Sequence, residues 1–409
     1  MALRHIRAVT LLVCLLFTWG SSLDAQTAPQ QWAGVPPVPV PDVTVIHTAD
    51  EPNVMLRVVT RGLTNPWGLA FLPNGDMLVT ERLGRLRLIR GGVLDTIPVA
   101  GVPAVEAGGR FNGLLDVTLH PDFAANRTLY LTFTTAGDSS TIALARARFD
   151  GTALHDLRVI FRGGVQPIRV SSSRVVFAPD GTLFLPVAGA FTAQALRAQD
   201  PADHAGKVLR LRDDGTPPPD NPFVGREGYR PEIYSMGHRN VMGLALHPAT
   251  GELWGAEHAP QGGDEVNIIR SGRNYGWPVV SFGREYEGPR VSQTWSREGM
   301  ELPEVVWLPS IAPSSMMFYT GNHFPAWQGD LFVGSMMEGR IQRTGHIERV
   351  KLNDSNEEVG REAILTELRR RVRDVRQGPD GLIYVLLGDQ DGILVRLEPI
   401  TSAAGGDPQ

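Results

Sequence analysis

Two short segments carry residue types suited to binding an anion and a metal ion. Residues 237–240 are Gly-His-Arg-Asn before an apolar run, and residues 259–265 are Ala-Pro-Gln-Gly-Gly-Asp-Glu. A tight loop of the second kind can turn backbone carbonyls and carboxylates toward one point, which suits Ca²⁺. A fixed guanidinium beside such a cation suits a ligand with several negative charges. The alternative is a surface turn with solvated acidic side chains, because Gly-Gly-Asp-Glu alone is a weak signal.

A second cationic pair lies near the end of the chain. Arg371 and Arg373 flank Val372 just before an apolar run that is typical of a strand. Residues i and i+2 of a strand share a face, so the two guanidinium groups would form a clamp for a carboxylate or phosphate. The competing interpretation is a solvated basic run, since residues 369–376 contain further arginines. Spacing alone favours that second interpretation.

A strand–turn–strand unit recurs along the chain and would position both segments. Each copy has a short apolar strand, a turn rich in Pro, Asn, Asp and Gly, and a second apolar strand. The copies begin near residues 66, 115, 174, 243, 316 and 374. Such repeats are typical of a β-propeller with long loops, and a β-sandwich does not explain them. We therefore predict an all-β, six-bladed β-propeller over residues 45–400, with its ligand site at one end of the channel.

The N-terminus has the pattern of a secretory signal peptide. Arg4 and Arg7 precede an apolar core at residues 8–19, and residues 23–25 offer a small-residue cleavage site. The core is too short to span a bilayer comfortably. We predict a signal peptide over residues 1–25 and an exported protein, periplasmic or secreted. A Pro-rich spacer at 26–44 and a flexible tail at 401–409 would flank the propeller.

Composition narrows the classes of partner. The only cysteine, Cys14, lies in the predicted signal peptide, so disulfides would not stabilise the mature chain. The net charge of −5 does not suggest a nucleic-acid partner. We expect a small-molecule ligand, no stable membrane anchor, and a monomer or homodimer.

From about residue 63 to residue 397, the sequence resembles the PQQ-dependent aldose sugar dehydrogenases, the soluble glucose/sorbosone dehydrogenase family. The matching motifs include Asn-Pro-Trp-Gly-Leu-Ala-Phe-Leu-Pro-Asn-Gly at 65–75, Asn-Gly-Leu-Leu-Asp-Val at 112–117, Gly-His-Arg-Asn at 237–240, Asn-Tyr-Gly-Trp-Pro at 274–278 and Arg-Val-Arg-Asp at 371–374. The resemblance implies a six-bladed propeller that oxidises a sugar's anomeric hydroxyl to a lactone, with hydride transfer to PQQ. It also implies Ca²⁺ as a cofactor, a sugar as substrate and an electron acceptor of unknown identity.

The resemblance assigns two kinds of ligand position. The implied PQQ contacts are Arg239, Asn240, Arg371 and Arg373. The implied Ca²⁺ ligands are the backbone carbonyls of Ala259 and Pro260 for the cofactor-bound ion, and Glu265 and Tyr275 for a second, structural ion. The family's usual glycine at position 259 is alanine here, which a carbonyl ligand tolerates unless φ is positive.

Several positions depart from the family pattern. The family's catalytic histidine, its glutamine before Asn-Gly-Leu-Leu, its cofactor-contacting lysine and its Gly-Asp pair correspond here to Val170, Phe111, Met337 and Ala188-Gly189. Valine cannot accept a proton, so the catalytic base is unknown, with His238 and His258 as other candidates. Two alternatives stay open: a propeller that binds a sugar or anionic ligand without turning it over, and a Ca²⁺-dependent lactone hydrolase.

Overall fold

The structure is a computed structural model, and it describes residues 33–107, 111–135, 141–164, 172–189, 192–388 and 390–400. The chain divides into a unit of residues 1–32 and a unit of residues 33–409, and the described residues all belong to the second unit. In these ranges, no helix has the length and apolar character needed to cross a membrane.

The second unit is built from small antiparallel sheets arranged in a ring. The chain first forms β1 (Val43–Ile46) and β2 (Val54–Leu63). The first blade then contains β3 (Pro66–Phe71), β4 (Met77–Glu81), β5 (Arg85–Arg90) and β6 (Val93–Leu94). The second blade contains β7 (Leu114–Leu119), β8 (Thr128–Thr134), β9 (Ile142–Phe149) and β10 (Leu154–Arg162). The third contains β11 (Val176–Phe177), β12 (Leu183–Val187), β13 (Lys207–Leu211) and β14 (Ile233–Met236).

The remaining blades follow the same plan. The fourth contains β15 (Val241–Leu246), β16 (Leu253–Glu257), β17 (Asp264–Ile269) and β18 (Val305–Trp307). The fifth contains β19 (Pro313–Phe318), β20 (Leu331–Ser335), β21 (Ile347–Leu352) and β22 (Glu358–Ile364). The sixth contains β23 (Val372–Gln377), β24 (Ile383–Leu387) and β25 (Gly392–Pro399). The short helices are α1 (Phe123–Asn126) and 3₁₀ helices at Thr192–Gln199, Pro325–Trp327 and Thr366–Leu368.

The ring closes through strands from both ends of the chain. The sixth sheet has the order β1-β2-β25-β24-β23, so the two N-terminal strands complete the blade that the C-terminal strands begin. β2 pairs with β25 in antiparallel register, for example Leu56 with Leu397. Because each end of the sequence supplies part of one sheet, separating the ends would open the ring.

The predicted strand–turn–strand unit is confirmed as the inner half of each blade. The turn between β3 and β4 contains Pro73, Asn74 and Gly75, and Gly75 has a φ of +86°, which glycine adopts without steric cost. The innermost strands are β3, β7, β11, β15, β19 and β23, and neighbouring inner strands such as β3 and β7, β15 and β19, and β23 and β3 pack against each other around the channel. The six-bladed propeller predicted from the repeat is therefore confirmed.

The hydrophobic core lies between neighbouring blades. All six residues of β19 are buried, including Ser314 and Ser315, so both faces of this inner strand are packed. Trp254 of the fourth blade meets Phe318 of the fifth edge to face, with ring centroids 5.4 Å apart. Since adjacent strands are antiparallel, every inner strand begins, and every second strand ends, at the same end of the ring. We call this end the site face.

Candidate functional site

Arg239 and Asn240 lie on the site face, immediately before β15. Both are buried, at 5% and 4% exposure. The Arg239 backbone N–H donates to Glu257 Oε2 at 2.8 Å, and its Nη1 donates to the His258 carbonyl at 2.8 Å. Asn240 Oδ1 accepts a hydrogen bond from the Ser172 hydroxyl at 2.5 Å. These contacts tie the start of the inner strand to the end of β16 and to the third blade, so both side chains are held in place.

The second predicted pair, Arg371 and Arg373, lies at the start of β23 on the same face. Arg373 is 6% exposed, and its guanidinium lies 4.2 Å from the centroid of the Trp67 ring. Arg371 Nη2 donates to Met336 Sδ at 3.1 Å. The interpretation of this stretch as a solvated basic run is therefore wrong for Arg373, because the ring closure packs its side chain against the first blade.

A cavity of about 210 Å³ opens beside this second pair. Three of its lining residues are arginines, and its described lining contains no acidic side chain. The lining residues are Asn65, Pro66, Trp67, Arg82, Arg371, Arg373, Gly388 and Gln390. Arg82 Nη1 donates to the Asn112 carbonyl at 3.0 Å, which holds this third arginine at the junction of the first two blades. Clustered guanidinium groups of this kind suit carboxylate recognition.

The loop at 259–265 is braced from within by one carboxylate. Asp264 is fully buried, and its Oδ1 accepts the Ala259 N–H at 2.7 Å. Its Oδ2 accepts the Ala312 N–H at 2.7 Å and the Ser310 hydroxyl. Burial raises the pKa of Asp264, while these three donors oppose the rise. The alternative of a surface turn with solvated acids is thus wrong for Asp264, which instead ties the loop to the fifth blade.

The backbone of this loop fits a cation. Ala259 has no positive φ, so an alanine at this position fits without strain. The carbonyls of Ala259 and Pro260 accept no hydrogen bond from the residues that the structure describes. Two such carbonyls on the site face suit a hard cation such as Ca²⁺.

Glu265 and Tyr275 line one small cavity together with Glu257. Glu257 and Glu265 are cross-strand partners, and Asn267 Nδ2 donates to both carboxylates at 2.9 and 3.1 Å. Burial, followed by the charge of Glu257, raises the pKa of Glu265 well above its usual range. The Tyr275 hydroxyl donates to the Ile268 carbonyl at 2.5 Å and accepts the Arg270 N–H. Tyr275 would therefore reach a metal through its backbone carbonyl rather than its hydroxyl.

A small cavity of about 20 Å³, room for one ion or water, lies beside these groups. Its lining includes Glu257, Glu265, Tyr275 and Arg239. Within the described ranges, no cluster of three or more His, Cys, Asp or Glu side chains is arranged to hold a metal. A metal here would therefore depend on backbone carbonyls as well as on carboxylates.

The two histidines considered as bases differ in their surroundings. His238 Nε2 contacts the Ser235 hydroxyl at 2.8 Å and its Nδ1 contacts Glu257 at 3.3 Å, so both ring nitrogens are engaged. His258 Nε2 is buried and has no hydrogen-bond partner among the described residues. Burial, then the charges of Arg239 and Arg373, lower the pKa of His258 to about 3. His258 thus stays neutral at ordinary pH, and one arginine of each cationic pair contributes to this.

Of the four positions that depart from the family pattern, three lie among the described residues, in different surroundings. Val170 lies outside the described residues. Met337 is 6% exposed, and Phe111 is partly buried just before β7. Gly189 N–H donates to the Arg239 carbonyl at 2.6 Å, and a Cβ there would lie 2.8 Å from the His238 carbonyl oxygen. The close approach of these two backbones explains why a glycine stands at 189.

The six-bladed ring and its arginine-rich face are features of a ligand-binding β-propeller. The chain belongs to the Glucose / Sorbosone dehydrogenase family, whose profile matches residues 63–396. The family resemblance predicted from the motifs is therefore confirmed.

Several relatives match over most of their length. Aldose sugar dehydrogenase YliI of Escherichia coli (strain K12) is 39% identical over 85% of this chain and 93% of that protein. A crystal structure of the soluble aldose sugar dehydrogenase from Escherichia coli in the apo-form superposes with a TM-score of 0.78, at 38% identity, over 85% of this chain and 99% of that chain. The PQQ-bound aldose sugar dehydrogenase from Streptomyces coelicolor has a TM-score of 0.69 at 27% identity, over 86% and 99%.

Proposed function

We propose that the protein is a PQQ- and Ca²⁺-dependent dehydrogenase that oxidises the anomeric hydroxyl of an aldose to a lactone. The observation that carries this proposal is the cavity lined by Arg82, Arg371 and Arg373 on the site face. PQQ is a tricarboxylate, and several fixed guanidinium groups match such a ligand. The aldose sugar dehydrogenase relatives, one of them solved with PQQ bound, support the same ligand and substrate class.

The chain's own residues would bind and orient the cofactor. When bound, PQQ supplies the hydride acceptor for the sugar's anomeric carbon. Arg373, held over Trp67 at 4.2 Å, would present a guanidinium in a fixed position to a carboxylate. From the fourth blade, Arg239 would present its guanidinium, which the His258 carbonyl holds, and Asn240 would present its amide, which Ser172 holds. The carbonyls of Ala259 and Pro260 would hold Ca²⁺ at the cofactor, and Glu265 and Tyr275 would hold the structural ion.

The described residues offer no well-suited general base for the proton transfer. A general base works best when its pKa lies near the operating pH. Both ring nitrogens of His238 are already engaged by Ser235 and Glu257. The pKa of His258 is lowered to about 3, so His258 does not match neutral pH. With valine at 170, we expect turnover slower by roughly 10²–10⁴ than with a positioned base. A Val170→His variant that gains dye-linked sugar oxidation would support this explanation, and an unchanged rate would contradict it.

A second candidate function is binding of an anionic or sugar ligand without turnover. The buried Met337, at the position of the family's cofactor-contacting lysine, favours it. Titration calorimetry with PQQ, with and without Ca²⁺, followed by a dye-linked assay over a panel of aldoses, separates the candidates. Binding with turnover supports the dehydrogenase, binding without turnover supports the second candidate, and lactone hydrolysis without PQQ would replace both.

Export is part of the proposal. The first 25 residues predict removal of a signal peptide and a periplasmic or secreted location. Mass spectrometry of the periplasmic fraction should find a mature chain that begins at Gln26. A cytoplasmic chain that keeps residues 1–25 would contradict it.

A further inference from the structure

A single buried guanidinium in the central channel contacts the inner strands of the other five blades. Arg174 lies just before β11 of the third blade and is 3% exposed. Its six acceptors are Asp116 Oδ1 (3.0 Å), Asp374 Oδ2 (3.0 Å) and the carbonyls of Met242 (3.3 Å), Ser314 (3.1 Å), Arg373 (3.1 Å) and Trp67 (3.5 Å). These acceptors belong to β7, β23, β15, β19 and β3, so one side chain joins all six blades.

The two carboxylates around Arg174 extend these connections. Asp116 Oδ2 accepts the Val175 N–H at 2.9 Å, and Asp374 Oδ2 accepts the Leu69 N–H at 3.0 Å. Arg376 contacts Asp374 at 3.1 Å and Asp116 at 3.4 Å, so two arginines balance two aspartates. A buried charge network stabilises a unique arrangement only when its members are satisfied, as these are.

The network leads directly to the arginine-lined cavity. Arg174 Nη2 donates to the Arg373 carbonyl at 3.1 Å and, through a longer shared hydrogen bond, to the Trp67 carbonyl at 3.5 Å. The side chains of these two residues form the cation–π pair in that cavity. The backbones of Trp67 and Arg373 are thus both held by the same nitrogen atom, Arg174 Nη2. If that nitrogen were lost, the first and sixth blades could shift against each other where they form the cavity.

We propose that Arg174 is a positioning residue that links the six blades and thereby fixes the Arg373–Trp67 pair for an anionic cofactor. Arg174 does not touch the cavity itself, and it acts through the two backbones that it holds. The part concerning the cofactor rests on the proposed PQQ function, whereas the part concerning the blades does not.

Hydrogen exchange on the ligand-free protein tests the link between blades. Replacing Arg174 by Lys keeps a charge between Asp116 and Asp374 but cannot reach all six acceptors. We expect the amide exchange rates at residues 66–71 and 372–377 to rise by about tenfold, because the variant loses one or two hydrogen bonds. Arg349→Lys is the matched control, because Arg349 is also buried but pairs with Asp330, Glu362 and Asp50, none of which lies on an inner strand. Unchanged exchange in Arg174→Lys, or an equal rise in the control, would overturn the proposal.

Chemical rescue provides a second measurement. In Arg174→Ala, millimolar guanidinium chloride should restore protection at residues 66–71 and 372–377, whereas potassium chloride at the same ionic strength should not. Equal effects of the two salts would overturn the proposal. If Arg174→Ala does not fold, the exchange comparison of Arg174→Lys with its control decides alone.

PQQ titration with Ca²⁺ separates the two claims. If the wild type binds PQQ, Arg174→Lys should bind it at least about tenfold more weakly, although both are folded at the assay temperature. Equal affinity in the two proteins would overturn the positioning role. If the wild type does not bind PQQ, the proposed function fails, and exchange and rescue in the ligand-free protein still decide whether Arg174 links the blades.

Discussion

Replacing Asp264 by Asn tests whether the loop at 259–265 is braced by a buried charge. The carboxylate accepts the N–H groups of Ala259 and Ala312, each at 2.7 Å, and the Ser310 hydroxyl. Asparagine has one oxygen, so its NH₂ group must face at least one backbone N–H in either orientation. A buried donor left without an acceptor costs about 1–3 kcal/mol, and the remaining bonds lose their charge assistance. We expect the free energy of unfolding to fall by about 3–5 kcal/mol.

Urea unfolding followed by circular dichroism measures this loss. Asp150→Asn is the matched control, because one Asp150 oxygen also accepts three hydrogen bonds, from the Thr152 N–H and hydroxyl and from the Ala153 N–H, while the other contacts His155, but all in an exposed turn. Water can replace those bonds, so the control should unfold near the wild-type midpoint. Equal midpoints for Asp264→Asn and Asp150→Asn would refute the bracing role.

Three further predictions concern buried groups around the site. Lys207 is fully buried, and its Nζ donates to the carbonyls of Arg197, Ala198 and Ala205. Because Lys207→Met leaves these carbonyls without that donor, its free energy of unfolding should fall by about 2–4 kcal/mol in the same urea assay. An unfolding midpoint equal to that of the wild type would contradict this. The pKa of His258 falls from its usual 6.5 to about 3 on folding, so the unfolded chain binds more protons and stability should fall by up to about 1.4 kcal/mol per unit as pH drops from 6.5 toward 3. His258→Gln should lose less stability than the wild type over that range, and parallel curves would contradict the assignment. If Glu265 holds the structural Ca²⁺ as proposed, a chelator should lower the melting temperature of the wild type more than that of Glu265→Gln, because a ligand at 100 times its Kd stabilises by about 2.7 kcal/mol. Equal shifts in the two proteins would contradict the role of Glu265.

The ring could be predicted from the sequence because its signals are local. Turns such as Asn74-Gly75 between two apolar runs recur in each blade and need no knowledge of distant residues. The closure could not be predicted in the same way. β2 lacks the repeated signature, and its pairing of Leu56 with Leu397 joins residues far apart in sequence.

The site was only partly visible in the sequence, because exposure depends on packing between blades. Spacing alone favoured a solvated run for Arg373, yet this residue is buried against Trp67 of the first blade. Arg82 and Arg174 carry no local signal, since an arginine beside a strand is usually solvated. Their roles follow from contacts across the channel and between blades. The resemblance to the family identified Arg371 and Arg373 as cofactor contacts, which their spacing alone did not.

The binding of PQQ by the purified mature protein tests the central claim most directly. Titration calorimetry in the presence of Ca²⁺ should show saturable binding of PQQ. Arg239→Ala should weaken this binding by at least about 30-fold, because removing one buried charge costs roughly 2 kcal/mol of binding free energy. Arg226→Ala is the control, because Arg226 lies 3.9 Å from the centroid of the Tyr229 ring, as Arg239 lies 5.3 Å from that of Trp277, but Arg226 lines neither cavity of the site. Its affinity should equal that of the wild type. No binding at saturating PQQ and Ca²⁺, or equal losses in both variants, would contradict the assignment of the arginine-rich face as the cofactor site.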